Sequence, residues 1–244
     1  MLMMIGTEIP GEMAGKMPDL FNGRLPDGGP VYAESVHHGL IAEPWNAVSS
    51  LFIVLPALVW LVRIRHEKNT FRLLFFASVL VILGGTGSTL FHAFRAYRLL
   101  LFMDFIPPAV LTLVLAAYWW QKVWDNWWAA LLAVAVFIVP RFLFFGSLPE
   151  HTAINLSYTL SGIMTGLPWL ILLIRNRWQN IRLVLITLVM FLLAILCREM
   201  DVRAAGWLPM GTHFLWHLFS GAGVWFLLEY LYRFRREEIA AERV

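Results

Sequence analysis

Five residues in a strongly apolar chain carry groups able to do chemistry together: Ser88, His92, Asp104, His213 and His217. His213 and His217, in "THFLWHLFSG", stand four apart, so a helix puts both imidazoles on one face, one turn from each other. Helices present two histidines to a single metal ion at this spacing. His92, near the end of "GGTGSTLFHAF", supplies a third imidazole. Three histidines and a water are the usual coordination of a catalytic zinc, which keeps one position open. Ser88 lies one turn before His92, which sets its hydroxyl beside such a metal. Asp104, in "LLLFMDFIPP", can take the proton of a water whose pKa the metal lowers to about 7, or it can orient one of the histidines by a hydrogen bond. Ser88 also has a second reading, as a small residue beside Gly84, Gly85 and Gly87 where two helices approach closely.

The elements that must position these groups are membrane spans. Of 244 residues, 59% are hydrophobic and only 14% are charged, against about 25% charge in a soluble domain. Twelve tryptophans and 18 phenylalanines suit lipid-facing helices with aromatic belts. Apolar runs of about 20 residues, enough to cross a bilayer, occur at roughly 43–64, 71–92, 99–120, 127–146, 153–174, 181–198 and 208–232. The reading is an all-α membrane protein, a seven-helix bundle. It becomes six spans if the fourth, interrupted by Pro140-Arg141, or the fifth, polar at its start, is re-entrant. With seven spans, twelve of the 19 Lys and Arg residues fall on the side of the C-terminus and seven on the other. The positive-inside rule then puts the C-terminus in the cytoplasm and the N-terminus outside. The chain divides into an extramembrane segment at 1–41, a transmembrane domain at 42–232 and a cytoplasmic tail at 233–244.

This topology tests whether the five groups can meet. Span two ends on the outer side, and spans three and seven begin there. His92, Asp104, His213 and His217 therefore share one membrane level, as do Glu43 and Asn46 at the start of span one. Ionisable groups inside spans are costly, and such a cluster marks a functional site.

Other features read as structural. Cys197 is alone, so no CxxC motif or intrachain disulfide exists. His37, His38, His66 and His151 read as interfacial or hydrogen-bonded histidines. Arg141 and the Arg198-Glu199-Asp201 cluster read as ion pairs or headgroup contacts. The lysines are Lys16, Lys68 and Lys122; none lies in span seven, which excludes a retinal Schiff base there. The basic residues read as topology signals, not as a nucleic-acid surface. The N-terminal stretch does not read as a signal peptide, so insertion is expected to rely on the first span.

The pattern S-x3-H, a downstream Asp and a late H-x3-H is similar to that of the alkaline ceramidases. These belong to a superfamily of seven-span hydrolases that includes the progesterone and adiponectin receptors. "EPWNAVSSL" at 43–51 resembles the family's first-span E-x2-N-x2-S motif, "GTGSTLFHAF" its second-span segment and "THFLWHLFSG" its seventh. The resemblance implies zinc on His92, His213 and His217, with Ser88 and Asp104 in the hydrolytic step. It implies cleavage of the amide of a ceramide-like membrane lipid, giving sphingosine and a fatty acid. It further implies calcium at Glu34 and Glu43, although Val31 stands where the family's D-W-x-E places its aspartate. "DFIPP" departs from the family's D-E-x-P. Two other readings are a receptor that keeps the zinc and a hydrolase of another acyl lipid such as a phospholipid. A transporter would need polar residues along a whole path, and here they gather at one side. Short loops suit a bacterial inner membrane, with the site toward the periplasm.

Overall fold

The computed structural model describes residues 27–36, 40–145 and 147–242, and these form an all-helical bundle. A short 3-10 turn, Ala33–Val36, precedes seven helices. They are α1 (Pro44–Arg63), α2 (Arg72–Phe94), α3 (Arg98–Trp124), α4 (Trp127–Phe145), α5 (Glu150–Arg175), α6 (Ile181–Ala204) and α7 (His213–Ala241). Six of the seven are long and apolar enough to cross a membrane. The exception among the described residues is α4, with an apolar stretch at Trp127–Leu143; Pro140 lies inside this helix and does not end it.

The helix limits follow local chemistry. Pro44 opens α1, where its missing N–H costs nothing. Left-handed residues end α2 at Arg95 and α3 at Asp125, the usual way a helix is stopped. The charged end of "LCREMD" does not stop α6, which runs to Ala204 rather than 198. Its charges have partners: Arg198 pairs with Glu199 at 3.4 Å, and Asp201 binds backbone. α7 begins at His213 and continues through the charged tail to Ala241. Ion pairs of Arg235 with Glu238 and Glu242, at 3.2 Å each, line that extension.

α1, α2 and α7 pack on one another at the centre. α3 packs on α2, α4 and α5 pack on α3, and α6 packs on α7. α5 and α6 are consecutive, yet they share no comparable interface. At the end carrying His213, the Arg198 guanidinium crosses this seam, 5.0 Å from the ring of Tyr158 and 6.0 Å from that of Trp216. The two ends of the bundle differ in chemistry. One end is aromatic, with Trp60, Trp119, Trp169, Tyr230 and Phe234 buried together. The buried polar residues gather mostly at the other end. Ser78 and Thr187 are exceptions, each donating its hydroxyl back to its own helix at 2.8 Å.

Glycines set the central contacts. A Cβ on Gly87 would fall 2.3 Å from the Met103 backbone of α3, and one on Gly221 would fall 2.3 Å from the Phe52 carbonyl oxygen of α1. Only backbone-to-backbone approach is possible at these points, as in small-residue packing between membrane helices. A Cβ on Gly162 or Gly166 in α5 would meet nothing within 4 Å. We therefore expect Gly87→Ala and Gly221→Ala to destabilise the detergent-solubilised protein by about 1–3 kcal/mol. Gly162→Ala should be neutral or stabilising, since alanine is the better helix former. Thermal or SDS unfolding measures the difference, and equal effects at all three sites would refute this account of the packing.

Candidate metal centre

The site is assembled from α2, α7, α1 and the segment before α1. His92 of α2 and His213 and His217 of α7 are all buried. Their rings stand 5.2 Å (His92–His213), 5.0 Å (His92–His217) and 4.7 Å (His213–His217) apart between centroids. One nitrogen from each can be chosen so that all three lie within 4.8 Å of one another. Among the described residues this is the one cluster of three or more metal-ligating side chains.

Two of the imidazoles are fixed from behind, and the third residue is placed through its backbone. His92 Nδ1 bonds the Glu43 carboxylate, which leaves Nε2 for another partner. His217 Nδ1 lies 2.8 Å from Ser49 Oγ and 3.3 Å from Ser50 Oγ. Both hydroxyls donate to the Asn46 carbonyl, at 3.1 and 2.8 Å. A hydroxyl that has spent its one proton can only accept, so Ser49 favours the His217 tautomer with hydrogen on Nδ1 and a free lone pair on Nε2. His213 is placed through its backbone: Asp201 Oδ1 accepts the N–H groups of Thr212 and His213, both at 2.8 Å, capping α7. Gly211, at φ +67°, makes the turn that allows this, and a Cβ there would fall 2.1 Å from Asp201 Oδ1.

His92 Nε2 and His213 Nδ1 are buried with no hydrogen-bond partner. An unsatisfied buried polar group costs about 1–3 kcal/mol. Two of them converging in one place, with their neighbours oriented by a carboxylate and hydroxyls, is the arrangement a metal ion would satisfy. The three histidines can thus hold a metal.

The other expected residues are nearby. Ser88 is buried beside Ser50, with the two hydroxyls 3.1 Å apart. Asp104 hydrogen-bonds Ser88. The close approach at Gly87 brings α3 to α2 at this level. Glu34 and Glu43 lie in the same region, each engaged by protein groups. Glu34 accepts the N–H groups of Trp45 and Asn46, at 2.7 and 2.9 Å, and so caps α1. Burial raises its carboxyl above the ordinary value, against the lowering effect of those two N–H bonds. Glu43 accepts from Ser35, from Arg95 at 2.7 Å and from Asn46 Nδ2 at 3.4 Å, besides its bond to His92. His37 and His38 lie outside the described residues, as does the side chain of His151. His66 is exposed at the far end, accepting from Arg65 Nε at 2.9 Å.

Sequence reasoning passed over several contributors. Ser49 and Ser50 sit within "EPWNAVSSL", three and four residues after Asn46, and helical spacing alone puts them on its face. Asp201 reads as part of an ion-pair cluster; it binds backbone instead, and Ala33 N–H reaches its Oδ2 at 2.8 Å. Tyr32 stacks on His213 with centroids 3.9 Å apart and tilts over His92 at 5.2 Å. Burial, and after it the Asp104 and Glu43 carboxylates, pushes its phenol well above the ordinary value of 10, so the hydroxyl stays protonated. No sequence signal marks Tyr32. Arg95 reads as a topology charge and here joins the site.

Loss of a partner behind a metal ligand typically costs 10–100-fold in metal affinity. Glu43→Gln and Ser49→Ala should each weaken transition-metal retention by that amount, and His217→Ala by more, measured by mass spectrometry of metal content during chelator competition. Wild-type retention in all three variants would remove the centre.

A family model described as Ceramidase matches residues 34–243, which takes in all three histidines with Ser88 and Asp104. In a comparison with curated proteins, the chain matches none. The matched span covers most of the chain, and the chain belongs to the Ceramidase family.

Proposed function

We propose that this protein is a zinc-dependent lipid amidase of the membrane, cleaving ceramide-type N-acyl sphingoid lipids to a sphingoid base and a fatty acid. The observation that carries the reading is the three buried histidines brought together, two of them with an unpartnered nitrogen, in a chain of the Ceramidase family. An all-histidine donor set without cysteine suits a catalytic zinc and not a closed structural one. The reading includes seven spans, with α4 as the shortest, and the metal end facing away from the cytoplasm, toward the periplasm of a bacterial inner membrane.

When bound, zinc supplies Lewis acidity, polarising an amide carbonyl and lowering the pKa of a water. The remaining work falls to side chains of the chain itself. Asp104 accepts the proton of the attacking water and returns one to the leaving nitrogen as the C–N bond breaks. Ser88 donates a hydrogen bond to the oxygen that gains charge. Its links to Ser50 and Asp104 hold it in place before the substrate arrives. Glu43, Ser49 and Ser50 keep the histidine rings aimed and do not touch the lipid. The acyl chain of a membrane lipid would enter laterally, between helices.

The test is fatty-acid release, followed by mass spectrometry, from a panel of ceramides and phospholipids with purified protein in detergent. Ceramide cleavage is expected and should be abolished by chelation and restored by zinc. Asp104→Asn should lower kcat by about 10²–10⁴ and Ser88→Ala by about 10²–10³, with metal content unchanged in both. Cleavage confined to glycerolipids would keep the centre and replace the substrate. Zinc binding without any turnover would favour a receptor over an enzyme.

A further inference from the structure

The carboxylates around His92 share a cation supplied by the chain. Arg95 Nε lies 2.6 Å from Asp27 Oδ2, and its Nη2 lies 3.1 Å from Asp27 Oδ1. Its Nη1 donates to Glu43 Oε1 at 2.7 Å, and Nη2 also donates to the Pro30 carbonyl at 3.0 Å. The arginine side chain is 6% exposed, and both carboxylates are fully buried. The guanidinium carbon stands 4.4 Å from the Phe91 ring and 5.6 Å from the Tyr32 ring. Arg95 is itself the left-handed residue that ends α2, at φ +46°, a position usually given to glycine.

These contacts form one line: Asp27, Arg95, Glu43, His92. The planar fork engages Asp27 through two nitrogens and leaves a third for Glu43, a geometry that a lysine cannot copy. Glu43 is thereby held against His92 Nδ1, while Asp27 and Pro30 tie the preceding segment down over the centre. A guanidinium 2.7 Å from Glu43 also opposes a divalent cation on that carboxylate. The oxygens of Glu34 already serve the first turn of α1.

We infer that Arg95 is a positioning residue of the metal centre and the resident cation of this acidic group, so that Glu34 and Glu43 hold no calcium. The inference rests on the proposed metal at His92, His213 and His217, and it extends that reading to what assembles the site. Nothing in it requires Arg95 to touch substrate. The side chain acts through Glu43 on the orientation of His92.

Arg95→Met and Arg95→Lys, purified in detergent beside the unaltered protein, test it. Three measurements apply: zinc affinity by chelator competition, the visible absorption of the cobalt-substituted centre, and calcium titration by calorimetry. Arg95→Met should bind zinc 10–100-fold more weakly and show an altered cobalt spectrum, with helicity retained by circular dichroism. Arg95→Lys should recover part of the affinity but not the spectrum. The unaltered protein should show no calcium binding up to millimolar concentration, and no change in zinc retention with EGTA. Wild-type zinc affinity and cobalt spectrum in Arg95→Met would overturn the positioning role. Saturable calcium binding that tightens zinc retention would overturn the resident-cation role, even if Arg95→Met failed to fold. Failure of the unaltered protein to bind any transition metal would instead sink the parent reading.

Discussion

A histidine ring buried in an apolar bundle has two nitrogens, and each must find a partner. That requirement organises this protein. The Glu43–His92 bond settles one nitrogen of one ring, but it also buries a carboxylate, which needs partners of its own. Arg95, Ser35 and Asn46 supply them, and Arg95 in turn needs Asp27 and Pro30. Satisfaction of one ring thus propagates outward until it has recruited a segment that lies before the first helix. Ser49 and Ser50 do the same for His217 over a shorter path. Buried ion pairs are poor evidence for stability, because desolvation offsets attraction. Their value here is geometric, since a ring held from behind presents its other nitrogen in one direction.

Such a network works only if backbones come close enough for short side chains to meet. Ser50 and Ser88 belong to different helices and touch through hydroxyls alone. Gly85 of α2 makes that approach possible, because a Cβ there would fall 2.7 Å from Val54 Cγ2 and 3.3 Å from Val54 N of α1. Gly221 does the same for α7, where a Cβ would collide with the Phe52 backbone of α1. The packing that holds α1, α2 and α7 together is therefore also what sets distances in the centre.

The parts visible in the sequence are those fixed by local periodicity. His213 and His217 share a face because helices repeat every 3.6 residues. Ser88 precedes His92 by one turn for the same reason. The common level of these groups follows from alternating spans, which needs only the order of apolar runs. What escaped the sequence depends on chain reversals between helices. Asp201 reaches the start of α7 because Gly211 takes a left-handed turn, and that is not encoded by any repeat. Arg95 folds back over Phe91 because it is itself left-handed, while a reading by charge assigns it to the aqueous side. Tyr32 arrives on His213 through the Ala33–Asp201 contact, which joins the segment before α1 to the end of α6. The end of α6 shows the same limit: charges that look like a span boundary continue the helix because they have partners inside the fold.

The centre takes one histidine from the second helix and two from the last. During synthesis, the chain up to α6 carries a single ligand, and no intermediate short of α7 can chelate. Asp201 likewise caps α7 only once that helix is in place. A metal held by all three histidines would therefore need α7 packed against α2, and a chain truncated before α7 would keep one ligand of the three.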